Sequence, residues 1–316
     1  MRLVTRSDFD GLVCGSLLKV LGIIDHWLFV HPKDMQDGIV EITSDDVLAN
    51  VPFVPGCGMW FDHHISELKR MGKDVMAPGA CYLAPSAARV IYEYYDGDNT
   101  IPHYQGLVKA CDKVDFGQLT AEEILNPTGG VLLGFLMDPR TGLGRFRNFT
   151  ISNYNLMSKL LDACAALEVD EILQLSDVKE RIEVYHEQSA LFKAMLLDRS
   201  VVRDNVIVTD VRGVDPIFAG NRFLIYSLFP EQNVSVWVAD GRGRQNVIIA
   251  IGYSVLNRTC ESDIGEICLS YGGGGHRQVG TCQVAHEEAD RIVEEIVNTL
   301  VASHNNCKEH MIPRSL

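Results

Sequence analysis

The chain has 316 residues, more than one typical domain holds, so two domains are expected. Apolar residues at 47% and charged residues at 22% exclude a mainly disordered chain. With 28 Lys and Arg against 42 Asp and Glu, the net charge of −14 excludes binding of nucleic acid or anionic membrane through the bulk field; a polyanionic ligand must meet a local concentration of cations.

Residues 3–5 read as a short strand that breaks at Ser7-Asp8, and residues 12–21 follow as a helix. Residues 27–30, 46–49 and 58–61 read as further strands, and residues 85–95 as a helix with Pro85 in its first turn. Such alternation predicts an α/β, doubly wound, mainly parallel sheet, whose ligands sit outside the carboxyl ends of the strands. Three of those ends carry Asp8, Asn50 and Asp62, so polar groups from distant parts of the chain converge there. Residues 154–197 read as helical. Residues 201–211, 224–228, 234–238 and 245–251 read as strands, and 285–301 as an amphipathic helix. The expected division is a first domain over 1–150, a helical connector over 151–199, a smaller α/β domain with a mixed sheet over 200–303, and a frayed polar tail over 304–316.

No apolar run approaches the roughly 18 residues that span a bilayer, so no membrane partner is expected. The start, Met1 to Thr5, leads into a polar segment and does not read as a signal peptide. Nine Cys without a C-x-x-C pair point to reduced thiols in a cytoplasmic protein; Cys111, Cys268 and Cys282 read as small buried hydrophobes.

Asp8 and Asp10, one residue apart at a strand end and followed by Gly11, can face one cation together; hard divalent ions take such oxygens. Equally, an Asp there can cap the helix. Asp62-His63-His64 is a mixed carboxylate and imidazole cluster of the kind that holds manganese, iron or magnesium, or else a hydrogen-bonded turn. Asp112, in a segment that runs on to Asp115, is a further acidic candidate. The glycines 272–275 followed by His276 let a backbone approach an anion closely, and Arg258 lies 14 residues upstream of that run. Arg242 with Arg244, and Arg140 with Arg145 and Arg147, form two more basic groups that can face phosphate.

Taken jointly, these motifs resemble the DHH phosphoesterase superfamily with its associated C-terminal domain, and most of all its exopolyphosphatase-related and nanoRNase-like members. Arg6 to Gly11 matches the first motif, Asp62-His63-His64 the name motif, and Asp112 the later acidic motif. Residues 85–89 are similar to the helix after the name motif, and Gly272 to His276 to the C-terminal glycine motif. The resemblance implies a metal-dependent phosphoesterase using one or two Mn or Mg ions, with a small phosphorylated substrate in a cleft between two domains: a short oligonucleotide, dinucleotide, nucleoside bisphosphate or polyphosphate. It implies metal ligands at Asp8, Asp10, Asn50, His63 and Asp112, with Asp62 orienting an imidazole. His64 and Arg6 would be catalytic, and Arg258, Gly273, Gly274, Gly275 and His276 would grip the substrate phosphate.

Two positions depart from the family pattern. Arg6 stands where relatives usually have His or Asp, and Arg cannot ligate a metal. Asn50 ends the strand where the family carries a bridging aspartate, unless Asp45 or Asp46 takes that part. Either Arg6 replaces the charge of a lost ion and clamps phosphate, or the fold is a catalytically weak nucleotide-binding protein. Aromatic and basic residues do not interleave, so no long nucleic-acid strand is expected as partner. Oligomeric state is not legible, a homodimer being the commonest symmetric assembly.

Overall fold

The computed structural model describes residues 1–64, 67, 70 and 77–311, with side chains to residue 305. Two compact units divide the chain: residues 1–119 with 126–186, and residues 120–125 with 187–316. Residues 151–186 therefore pack with the first unit, where a separate connector was expected.

The first unit holds five strands, β1 (Arg2–Arg6), β2 (His26–Val30), β3 (Asp46–Ala49), β4 (Met59–Asp62) and β5 (Gly79–Cys81). All pair in parallel in the order β2-β1-β3-β4-β5. The chain winds outward from β1 to β2, then crosses back to β3, so the order reverses between β1 and β3. Ligand sites in open parallel sheets form at such a reversal. Leu3, Val4, Val47, Leu48 and Phe61 are fully buried, which is why these strands read as continuous apolar runs without alternation.

Helix α1 (Phe9–Val20) is buried along most of its length, with Leu12, Val13, Leu17 and Leu18 at 0% exposure. Helix α2 (Ala87–Tyr94) begins after Ser86, whose hydroxyl accepts from Arg89 N, so Pro85 precedes the helix instead of entering its first turn. Helices α3 (Gln105–Phe116), α4 (Gly129–Met137) and α5 (Asn153–Cys164) complete the layers around the sheet, and α6 (Ser176–Arg199) runs past the division between the units.

The second unit holds a mixed sheet in the order β10-β11-β9-β8-β7-β6. Its strands are β6 (Ser200–Arg203), β7 (Val206–Asp210), β8 (Val234–Asp240), β9 (Val247–Tyr253), β10 (Gly274–His276) and β11 (Val279–Val284). Only β7 and β8 pair in parallel. Val236, Ile249 and Ile251 face one core with Ile292, Ile296 and Leu300 of the closing helix. Three expectations are corrected here. Leu224–Leu228 is a helical turn (α7), since a five-residue apolar run fits either conformation and the Asn221 side chain accepts from Phe223 N just before it. Only the first half of the glycine run is irregular: Gly272 and Gly273 lead into Gly274–His276, the edge strand of a hairpin. The last helix, α9 (His286–Met311), continues beyond residue 303, after α8 (Ile264–Leu269); residues 312–316 lie outside the described residues. Among the described residues no helix is long and apolar enough to cross a membrane.

Candidate functional site

The ends of β1, β3 and β4 bring Arg6, Asp8, Asn50, Asp62 and His63 together, as the strand reading anticipates. Asp8 caps α1, its Oδ1 accepting from Gly11 N at 2.9 Å and from Asn50 Nδ2 at 3.1 Å. Its Oδ2 lies 3.0 Å from Arg6 Nε. Gly11 is required because a Cβ there would stand 2.1 Å from the Arg6 carbonyl oxygen. Burial pushes the Asp8 carboxyl up, and the Arg6 charge opposes this. Asp8 is therefore engaged at both oxygens, by hydrogen bonds at Oδ1 and by the Arg6 charge at Oδ2.

Asn50 sits in the left-handed region at φ 55°, which Asn tolerates. Its amide donates to Asp8, while its Oδ1 is buried without a partner among the described residues. An aspartate would put a second negative charge 3.1 Å from Asp8 Oδ1, which explains the neutral residue. Neither acid at the head of β3 replaces it. Asp46 is held by Arg2 Nε at 2.7 Å at the opposite end of that strand.

Asp10 is 1% exposed and receives Ala87 N at 2.9 Å and Ala88 N at 2.8 Å, so the first turn of α2 cradles it. Burial pushes its carboxyl up to about 6, with the His63 imidazole pulling it down. His63 Nδ1 is 3.1 Å from the Ala84 carbonyl. A carbonyl only accepts, so Nδ1 carries the proton and a neutral ring has its lone pair on Nε2. That Nε2 is buried without a hydrogen-bond partner among the described residues, 3.8 Å from Asp10 Oδ2 and 3.4 Å from Asp115 Oδ2. Ligand atoms about 2.1 Å from one ion stand about 3 to 3.4 Å apart, so the Asp115 spacing fits a shared cation as it stands, and the Asp10 spacing of 3.8 Å, too long for a hydrogen bond, comes within a few tenths of an ångström of it. One ligand atom from each of Asp10, His63 and Asp115 lies within 4.8 Å of the others. Hard oxygens with one imidazole fit manganese or magnesium.

Asp62, 1% exposed, accepts from His63 N at 2.9 Å and from His64 Nδ1 at 2.8 Å. Burial lowers the His64 pKa, but the Asp62 hydrogen bond and the surrounding carboxylates outweigh it, and the net shift is upward. Asp62, His63 and His64 also bring ligand atoms close together, although the His64 nitrogen nearest Asp62 is spent on the hydrogen bond.

Asp112 does not join this group. Its Oδ1 takes the Ser86 hydroxyl at 2.7 Å, and its Oδ2 takes Arg89 Nε at 3.0 Å and Nη2 at 2.6 Å. Asp115, three residues on along α3, faces His63 in its place. The signal for Asp115 was present: two aspartates three apart on one helix lie on neighbouring faces, and the one in line with Asp10 can be the ligand.

In the second unit, Arg258 lies on an exposed loop, its Nε donating to the Val255 carbonyl at 3.0 Å. Gly274, Gly275 and His276 are exposed on β10, paired with Thr281, Gly280 and Val279. Gly273 precedes them, and a Cβ on it would stand 2.2 Å from the Thr281 carbonyl oxygen. At least part of the glycine run is thus demanded by packing of the hairpin. Arg244 pairs weakly with Asp240 at 3.7 Å.

No model of a protein family matches the chain, and none of the curated proteins does. Among solved structures the chain is similar to a pGpG-specific phosphodiesterase, PggH, from Vibrio cholerae: 47% identity, TM-score 0.83, with 96% of this chain and 99% of that chain covered. An exopolyphosphatase-related protein from Bacteroides fragilis shares 12% identity at TM-score 0.51, over 94% of this chain and 91% of that one. RecJ from Thermus thermophilus, in complex with Mn2+, shares 13% identity at TM-score 0.55, over 95% of this chain and 52% of that one. The last two likenesses speak for the fold alone.

Proposed function

The chain belongs to the DHH phosphoesterase superfamily, a superfamily of hydrolases, and from that premise we propose a divalent-metal-dependent phosphodiesterase acting on a short linear nucleotide, a guanine dinucleotide of the pGpG kind. The observation that carries the chemistry is the buried His63 Nε2 between Asp10 and Asp115, without a hydrogen-bond partner among the described residues. The likeness over nearly the whole of both chains supports the substrate class.

Asp10, His63 and Asp115 would hold one Mn2+ or Mg2+ ion. Such an ion, when bound, polarises a phosphoryl oxygen and lowers the pKa of a water. Asp62 fixes the His64 ring, so that its other nitrogen can donate to a phosphate or leaving oxygen when the ring is protonated, the form that the Asp62 hydrogen bond and the nearby carboxylates favour. Arg6, pairing with Asp8, puts a fixed positive charge where relatives carry a ligand, which supports a single-ion centre. Hydrolysis of the one internal phosphodiester of pGpG adds a water and releases two molecules of GMP.

The test is chromatography of pGpG incubated with protein and Mn2+. GMP should form with the unaltered chain, stop on chelation, and be absent with Asp10→Asn. Equal background from both proteins would leave the fold a nucleotide-binding one without turnover.

A further inference from the structure

Arg140 is left over by this account, yet the fold delivers it to the same site. A Cβ added at Gly134 on α4 would come 2.9 Å from the Phe9 ring and 2.8 Å from Val114. Phe9 separates Asp8 from Asp10, and Val114 precedes Asp115. Helix α4 therefore packs directly behind the acidic group, and its exit, Asp138 to Thr141, follows one turn later.

That exit is rigid. Asp138 is 4% exposed, and its Oδ1 accepts from Arg140 N at 2.9 Å and from Arg140 Nε at 2.7 Å. Thr141, also buried, donates its hydroxyl to the Asp138 carbonyl. Held by Nε, the guanidinium keeps both terminal nitrogens without a hydrogen-bond partner among the described residues, and its charge acts on Asp115 and Asp8 as well as on Asp138. Arg6 forms an ion pair of its own, its Nε 3.0 Å from Asp8 Oδ2.

We infer that Arg140 binds the substrate phosphate, forming with Arg6 a two-arginine clamp beside Asp10, His63 and Asp115. This rests on the phosphodiesterase reading and specifies its anion subsite. Charge supports it: Arg6 and Arg140 bring two fixed positive charges to a site otherwise lined by the carboxylates Asp8, Asp10 and Asp115, and a phosphodiester carries a negative charge that such guanidiniums can meet. Guanidinium edges match phosphate oxygens in pairs, which a lysine cannot do. In a chain with net charge −14, this is the local concentration of cations that an anionic substrate requires.

The experiment is calorimetric titration of Mn2+-loaded protein with two probes, a phosphorothioate-linked guanine dinucleotide that resists hydrolysis, and inorganic pyrophosphate. Arg140→Gln should weaken both by at least tenfold at unchanged Mn2+ stoichiometry. Arg291→Gln removes an equal charge from an exposed arginine paired with Glu288 and Glu295 and should change them by less than twofold. Arg140→Lys, which still reaches Asp138, should weaken both by at least threefold and carries the test if the Gln variant fails to fold. Binding to the Arg140 variants as tight as to the unaltered protein overturns the clamp, as does failure of the unaltered protein to bind pyrophosphate. Pyrophosphate binding that depends on Arg140, without dinucleotide binding or turnover, would keep the clamp and refute the dinucleotide reading.

Discussion

Asp112 and Asp115 sit three residues apart on one helix, and replacing each by Asn should give opposite phenotypes. Asp112 holds Arg89 through two charged hydrogen bonds and Ser86 through a third. Asparagine keeps one acceptor oxygen and turns an amide toward a guanidinium. Bonds to charged groups contribute about 1.5–3 kcal/mol each, so a net loss of about 2–3 kcal/mol is expected. For a unit of this size that lowers the melting temperature by about 4–12 °C. Mn2+ affinity should fall by no more than about tenfold, the low end of effects on residues that only support ligands. Among the described residues Asp115 has no hydrogen bond to lose; it faces His63 at 3.4 Å, and its charge pushes the Asp8 and Asp10 carboxyls up. Asp115→Asn should therefore melt at or above the parent temperature in EDTA, while Mn2+ affinity drops by about 100-fold or more. Differential scanning fluorimetry in EDTA and electron paramagnetic resonance of free Mn2+ read the two effects. If Asp112→Asn abolishes Mn2+ binding and Asp115→Asn retains it, the assignment of the ligand is refuted.

Further outcomes follow from other parts of the fold. Gly273→Ala should cost about 1–3 kcal/mol, because its Cβ meets the Thr281 carbonyl oxygen at 2.2 Å, whereas Gly274→Ala meets nothing and should cost under about 1 kcal/mol; denaturant titration separates them. Arg181 is 1% exposed, stacks on Phe149 at 3.9 Å and donates to the Ile151 carbonyl at 2.6 Å. Arg181→Ala should cost about 3 kcal/mol and speed proteolytic cutting in residues 146–153, seen by mass spectrometry of timed digests. Burial pushes the Cys164 thiol up to about 12, so about one in ten thousand molecules carries its thiolate at pH 8. Iodoacetamide should leave Cys164 unlabelled until the chain unfolds, and rapid labelling in the native state would contradict its burial.

Much of the first unit was legible because its strands are buried on both sides and end on polar residues. Asp46–Ala49 ends on Asn50 as the apolar run implies, and the convergence of Asp8, Asn50 and Asp62 follows from parallel pairing. What the pattern could not reveal was which groups are consumed by neighbours. Asp8 reads as a ligand until Arg6, Asn50 and Gly11 are seen to occupy its oxygens. Asp112 reads as a ligand until Ser86 and Arg89, 26 and 23 residues earlier, take both of its oxygens. The bonds from Asn50, Ser86 and Arg89 are long-range, and a local motif is blind to them, whereas Arg6 and Gly11 are sequence neighbours of Asp8. Residues 224–228 mislead for a different reason, since a short apolar run carries no periodicity to separate helix from strand. The glycine run was legible as a place of close approach, but the partner is the chain's own strand β11 at Gly273.

The most direct measurement is anomalous scattering from crystals of the protein grown with Mn2+. A single Mn2+ peak bounded by Asp10, His63 and Asp115, with Arg6 still paired to Asp8, is the predicted result. Two peaks about 3.5–4 Å apart, the spacing of two-metal phosphoesterase sites, with Asp8 as a ligand, would contradict the account.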